Sequence, residues 1–143
     1  MGVGSLEHVL VLADDIAATR DFYCRVVGLS VGDRPPLAFP GYWLYATGGS
    51  GAACLHIAER RSYSAHAAEL GLSVPERDPG VGPVDHVAFS AGDWESLVER
   101  LSRMAVPAVT NSVPGGPRQV FIEDPNGVRV EISVWDPEPE EAR

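Results

Sequence analysis

Two hydrophobic periods alternate along the chain. Leu6-Glu7-His8-Val9-Leu10-Val11-Leu12 is rich in β-forming residues, and Asp14-Asp15 after it are helix-start residues. Apolar positions then recur with helical spacing at Ile16, Ala17, Phe22, Tyr23, Val26 and Val27. This predicts a helix over residues 16–27, stopped by Gly28 in a left-handed conformation. Leu29-Ser30-Val31 reads as a short strand, followed by a Pro-rich loop over residues 32–41. Strands over residues 42–46 and 52–58 are joined through Thr47-Gly48-Gly49-Ser50-Gly51 as a hairpin.

The same plan then returns. Residues 84–90 read as a strand, 93–104 as a helix, and 108–110 as a short strand-like piece. Strands over 118–123 and 128–134 flank Asp124-Pro125-Asn126-Gly127, a strong turn signal. Glu7-His8-Val9 lies 78 positions before Asp85-His86-Val87, and Asp15 lies 78 before Asp93. His56 precedes Glu131 by 75. The fold class expected is therefore α+β, with two tandem β-α-β-β-β modules over residues 1–58 and 84–135. A linker over 59–83 carries one helical turn near 65–70, and its length suggests a crossover or an active-site cover.

Strand side chains alternate between faces, which sorts the polar residues. His8 shares its face with Leu10 and Leu12, and His86 with Ala88 and Ser90. His56 is opposite Leu55 and Ile57; Glu131 is opposite Val130 and Ile132. In both last strands the apolar side belongs to the helix, and the polar side is free to line a cavity. A mid-strand carboxylate is costly to bury without a cation or strong donors. Imidazole and carboxylate together suit Zn, Fe(II), Mn, Co or Ni. The repeat makes His8, His56, His86 and Glu131 the expected metal ligands, because equivalent places in two modules carry them. His66, in the linker, breaks the pattern and is expected to be solvated.

Composition narrows the function classes. Eleven Lys and Arg face twenty Asp and Glu, a net charge of −9, and no basic run offers a phosphate-binding surface. No nucleic-acid partner is expected. No apolar run approaches the roughly 20 residues of a membrane span, and no signal peptide is visible at Met1-Gly2-Val3-Gly4-Ser5, so the cytoplasm is the expected location. Cys24 and Cys54 sit in apolar patterns and are expected as buried free thiols. Residues 136–143 form an acidic, Pro-rich tail expected to be disordered.

These residues resemble the vicinal oxygen chelate superfamily, which includes glyoxalase I, extradiol dioxygenases, fosfomycin-modifying enzymes, methylmalonyl-CoA epimerase and bleomycin-binding proteins. The resemblance runs over residues 6–135. It is carried by Leu6-Glu7-His8-Val9 with Asp15 and Asp21-Phe22-Tyr23, by Val84-Asp85-His86-Val87, and by Phe121-Ile122-Glu123-Asp124-Pro125-Asn126-Gly127-Val128 followed by Glu131. It implies a cupped mixed sheet of the glyoxalase/dioxygenase type, with a divalent metal held in the cup from the first, fourth, fifth and eighth strands. Those positions are His8, His56, His86 and Glu131. His56 departs from the pattern, since glyoxalase-like and epimerase-like members usually have Glu or Gln there.

The shared family chemistry is chelation of a small substrate through two adjacent oxygens. The favoured expectation is a glyoxalase-like lyase or isomerase that moves a proton next to a carbonyl through a metal-stabilised enediolate. Glu131 is then the base, and His56 is either the partner acid or base or a fourth ligand. The alternatives are Fe(II)-dependent ring opening of a catechol and non-catalytic drug or metabolite binding. Arg129, Arg118 and Tyr42 are the candidate substrate-binding residues. A homodimer is expected; the resemblance allows His8 and His56 from one chain to meet His86 and Glu131 from its partner, and the long linker equally allows both modules to close within one chain.

Overall fold

The computed structural model describes residues 6–47, 51–72, 86–114 and 116–135, and its elements repeat as the sequence does. Two units, Met1–Asp78 and Pro79–Arg143, each carry their own sheet. The first contains β1 (Val9–Ala13), α1 (Ile16–Phe22), β2 (Ser30–Gly32), β3 (Gly41–Tyr45), β4 (Leu55–Glu59) and α2 (Arg60–Glu69). The second contains β5 (Val87–Ser90), α3 (Trp94–Arg103), β6 (Val109–Ser112), β7 (Arg118–Glu123) and β8 (Arg129–Val134). The strand orders are β1-β4-β3-β2 and β5-β8-β7-β6, with the first pair parallel and the others antiparallel. The α+β, twice-repeated β-α-β-β-β expectation holds.

The large buried aliphatic side chains of each sheet lie on one side. Val11, Ala13, Leu44, Leu55 and Ile57 are buried on the helix side of the first sheet, and Val120, Ile122, Val130, Ile132 and Val134 on the second. Full burial of each large aliphatic side chain is worth about 1.5–3 kcal/mol, so this face holds each unit together. The opposite faces carry His56 and Glu131.

Local chemistry sets the helix ends. Asp15 Oδ1 accepts from the Ala18 amide at 2.9 Å, and Asp93 Oδ1 from the Ser96 amide at 3.1 Å, so the two equivalent aspartates cap α1 and α3. After Phe22 the chain continues as a π-helical turn, Tyr23–Val27, which keeps Tyr23 and Val26 buried. Gly28 (φ 99°) ends it, and the amides of Gly28 and Leu29 both donate to the Tyr23 carbonyl. In the β7–β8 turn Asp124 Oδ1 accepts from the amides of Asn126 (2.7 Å) and Val128 (2.8 Å).

Several expectations need correction. The single helical turn expected at 65–70 is a ten-residue helix, α2, packed on β4 and β1, so residues 60–69 are part of the first unit rather than linker. His66 is not solvated but half-buried, with its ring 5.2 Å from Phe39 and 6.2 Å from Tyr63. Regular pairing begins at Val9 rather than Leu6, because the parallel partner β4 begins at Leu55. Cys24 and Cys54 are free thiols, as expected, but only partly buried. The expected hairpin tip at 48–50, the start of the fifth strand at 84–85, the rest of the linker at 73–83 and the acidic tail lie outside the described residues. No helix among the described residues is long and apolar enough to cross a membrane.

Candidate metal centre

The four expected ligands come together as two pairs, one in each unit. In the first sheet His56 stands opposite Leu10 on β1 and Trp43 on β3. His8 precedes β1 on the face of Leu10, and its ring stacks on His56 at 3.8 Å between centroids, 12° from parallel. Trp43 stacks on His56 from the β3 side at 4.1 Å and 8°. His56 is therefore sandwiched, and among the described residues its ring nitrogens have no hydrogen-bond partner. Burial lowers the His56 pKa, the nearby His8 and Arg34 lower it further, and Glu7 partly opposes them. The imidazole is thus held neutral at pH 7, with a lone pair available. His8 itself is tied at Nδ1 to Glu7 Oε1, 3.0 Å away.

In the second sheet Glu131 stands opposite Ala88 on β5 and Phe121 on β7. It is 8% exposed, and a carboxylate at that depth needs strong partners. Three are present. His86 Nε2 lies 2.9 Å from Oε2, Gln119 Nε2 donates to Oε1 at 2.7 Å, and Ser133 Oγ donates to Oε1 at 2.6 Å. Asn111 Nδ2 in turn donates to Gln119 Oε1 at 2.9 Å. The Phe121 ring meets His86 edge-on at 6.2 Å.

The second pair fits a divalent cation as it stands. Metal bonds of about 2.0–2.2 Å to adjacent nitrogen and oxygen donors leave those donors about 3 Å apart, the spacing of His86 Nε2 and Glu131 Oε2. The first pair fits by donor type but not by ring orientation. Stacked imidazoles direct their lone pairs along parallel planes, so one ring must turn before both nitrogens can reach one ion. Among the described residues no group of three or more His, Cys, Asp or Glu side chains gathers at one point.

The proposed substrate-binding residues separate by face. Arg129 is exposed on the Glu131 side, opposite Glu123 in register. Tyr42 and Arg118 are turned to the helix side. Tyr42 Oη accepts from Arg20 of α1 at 2.8 Å, and Arg118 lies over the Trp94 ring of α3 at 5.1 Å, with Glu95 at 3.8 Å. A side chain one residue along a strand points the other way, and Trp43 and Gln119 occupy the places by His56 and Glu131. Gln119, Ser133 and Asn111 were not among the expected site residues. The repeat does not mark them: Gln119 stands at the place of Gly41, 78 positions on, and Ser133 at the place of Ala58, 75 positions on.

Two β-α-β-β-β units with a His/His pair on one sheet and a His/Glu pair on the other define a recognisable class. The chain belongs to the Glyoxalase/Bleomycin resistance protein/Dioxygenase superfamily, whose family model matches residues 5–132. "Glyoxylase I 4" of Arabidopsis thaliana is 29% identical over 140 residues, covering 92% of this chain and 71% of the plant protein. Among solved structures, lactoylglutathione lyase from Agrobacterium tumefaciens superposes with a TM-score of 0.69 at 22% identity, over 93% of this chain and 95% of that one. TnmS3, an antibiotic binding protein from Streptomyces sp. CB03234, superposes with a TM-score of 0.64 at 17% identity, over 95% and 99%. At these identities the structural likeness speaks for the fold alone.

Proposed function

We propose that this chain is a metal-dependent, glyoxalase-like enzyme that moves a proton next to a carbonyl in a small substrate bound through adjacent oxygens. The observation carrying the reading is the His86–Glu131 pair, a nitrogen and a buried carboxylate oxygen 2.9 Å apart on neighbouring strands. His8, His86 and Glu131 would hold the cation, with His56 as fourth ligand or as acid–base partner. The cation, when bound, would supply a Lewis acid for the two substrate oxygens. Glu131 is also the candidate base for the proton next to the carbonyl. Arg129, on the same face, is the candidate partner for an anionic substrate group.

The relatives' names supply the first substrate to try. Protein purified without chelators, then loaded separately with Zn²⁺, Ni²⁺, Co²⁺, Mn²⁺ and Fe²⁺, should form or cleave lactoylglutathione, followed by ultraviolet absorbance. The turnover should vanish in Glu131→Gln. Metal-independent turnover, or turnover unchanged in Glu131→Gln, contradicts the reading. The aromatic stack of Trp43 and His56 favours one second reading, Fe(II)-dependent opening of a catechol with His56 as acid or base. Oxygen uptake by the iron-loaded protein with a catechol separates the two. Tight ligand binding without turnover under any metal would instead match a binding protein.

A further inference from the structure

The two oxygens of Glu131 are treated differently by their surroundings. Oε1 accepts two hydrogen bonds, from Gln119 Nε2 at 2.7 Å and Ser133 Oγ at 2.6 Å. Oε2 faces His86 Nε2 at 2.9 Å. Hydrogen bonds to an ionised carboxylate are roughly twice as strong as neutral ones, so two of them on one oxygen fix the group's rotation.

The donors form a row across the sheet. Asn111, Gln119 and Ser133 are direct cross-strand neighbours on β6, β7 and β8. Asn111 donates to the carbonyl oxygen of the Gln119 amide, which turns that amide's N–H group toward Glu131. Among the described residues the first unit has no such row. The places of Gln119 and Ser133 are held there by Gly41 and Ala58, which have no side-chain donor. Gly41 could not gain one, since a Cβ would stand 2.1 Å from the Ile57 carbonyl oxygen. The polar row therefore accompanies the carboxylate and is missing beside the imidazole of His56.

We propose that Gln119 and Ser133, with Asn111 behind them, are positioning residues that reserve Oε1 and leave Oε2 as the single oxygen offered to a divalent cation. This rests on Glu131 being a metal ligand. Coordination through one oxygen leaves a further position at the ion for substrate, whereas a freely turning carboxylate would occupy it with its second oxygen.

Titration of the metal-free protein with Co²⁺, followed by visible absorption, tests both layers. Glu131→Ala should lose most of the Co²⁺ affinity. The Gln119→Ala/Ser133→Ala double variant should bind roughly 10–100-fold more weakly, with weaker visible bands as the second oxygen joins and the coordination number rises. Asn111→Ala should move both readouts the same way by less. Thermal unfolding of the metal-free variants reports on the fold, and Gln119→Met, similar in size but without a donor, replaces Gln119→Ala if that change unfolds the chain. If Glu131→Ala weakens binding but the double variant keeps wild-type affinity and spectrum, the positioning role is wrong and Glu131 remains a ligand. If Glu131→Ala binds Co²⁺ as wild type does, the ligand assignment itself fails.

Discussion

At His56 the side chain's surroundings decide what it can do. Stacked between His8 and Trp43, it keeps its faces covered and its ring nitrogens unpartnered among the described residues, which suits a ligand better than a core histidine. His56→Ala should lower metal affinity roughly 10-fold or more in a calorimetric titration. Unchanged affinity with lost turnover would leave it an acid–base role alone. Tyr42→Phe removes only the hydroxyl that meets Arg20 on the helix side, so it should leave metal affinity at the wild-type value. A fall would return Tyr42 to the site. The repeat placed His8 beside His56 and His86 beside Glu131, and those two pairings are what the sequence made legible. Tyr42 and Arg118 are each one residue from the side chains on the His56 and Glu131 faces, Trp43 and Gln119. Strand parity depends on cross-strand register, and a one-residue difference exchanges the faces.

At the scale of elements, the equivalent caps Asp15 and Asp93 show how the repeat is enforced locally. The Asp93 pKa is lowered below its ordinary value, chiefly by the Ser96 amide and then by the Ser96 hydroxyl. A depressed carboxylate pKa adds stability that is present above the unfolded-state pKa and is lost as pH falls through the folded-state one. Asn caps a helix about as well as Asp but does not titrate. The melting-temperature advantage of wild type over Asp93→Asn should therefore be largest above about pH 4 and shrink at lower pH. An advantage that does not change with pH would remove the Asp93 charge from the account. Helix α3 was legible because its apolar positions keep the helical period and Asp93 announces its start. Helix α2 was not. It has no side-chain N-cap, and its interior Ser62, Ser64 and His66 are weaker helix formers than Ala or Leu. Its order comes from packing on β4 and β1 and from the ring contacts of Tyr63 and His66 with Phe39, which local propensity does not reveal.

For the whole molecule, each unit supplies half of the proposed donor set from its own strands. Each pair lies within its own unit. We favour a homodimer in which His8 and His56 of one chain meet His86 and Glu131 of the other, since two homologous modules that join within a chain can also join between chains. Mixing inactive His8→Ala protein with inactive Glu131→Ala protein should then restore part of the activity through the site that receives neither change. A mixture that stays inactive after confirmed subunit exchange, or a wild type that runs as a monomer by light scattering, contradicts the exchanged dimer without touching the ligand assignment. The assignment itself is tested most directly by elemental analysis of protein prepared without chelators or nickel resin, alongside His86→Ala and Glu131→Ala. The account predicts about one divalent metal per pair of units in the wild type, lost in both variants while the metal-free proteins still fold. A wild type that takes up no divalent metal even on reconstitution, or variants that hold it equally well, would contradict the account.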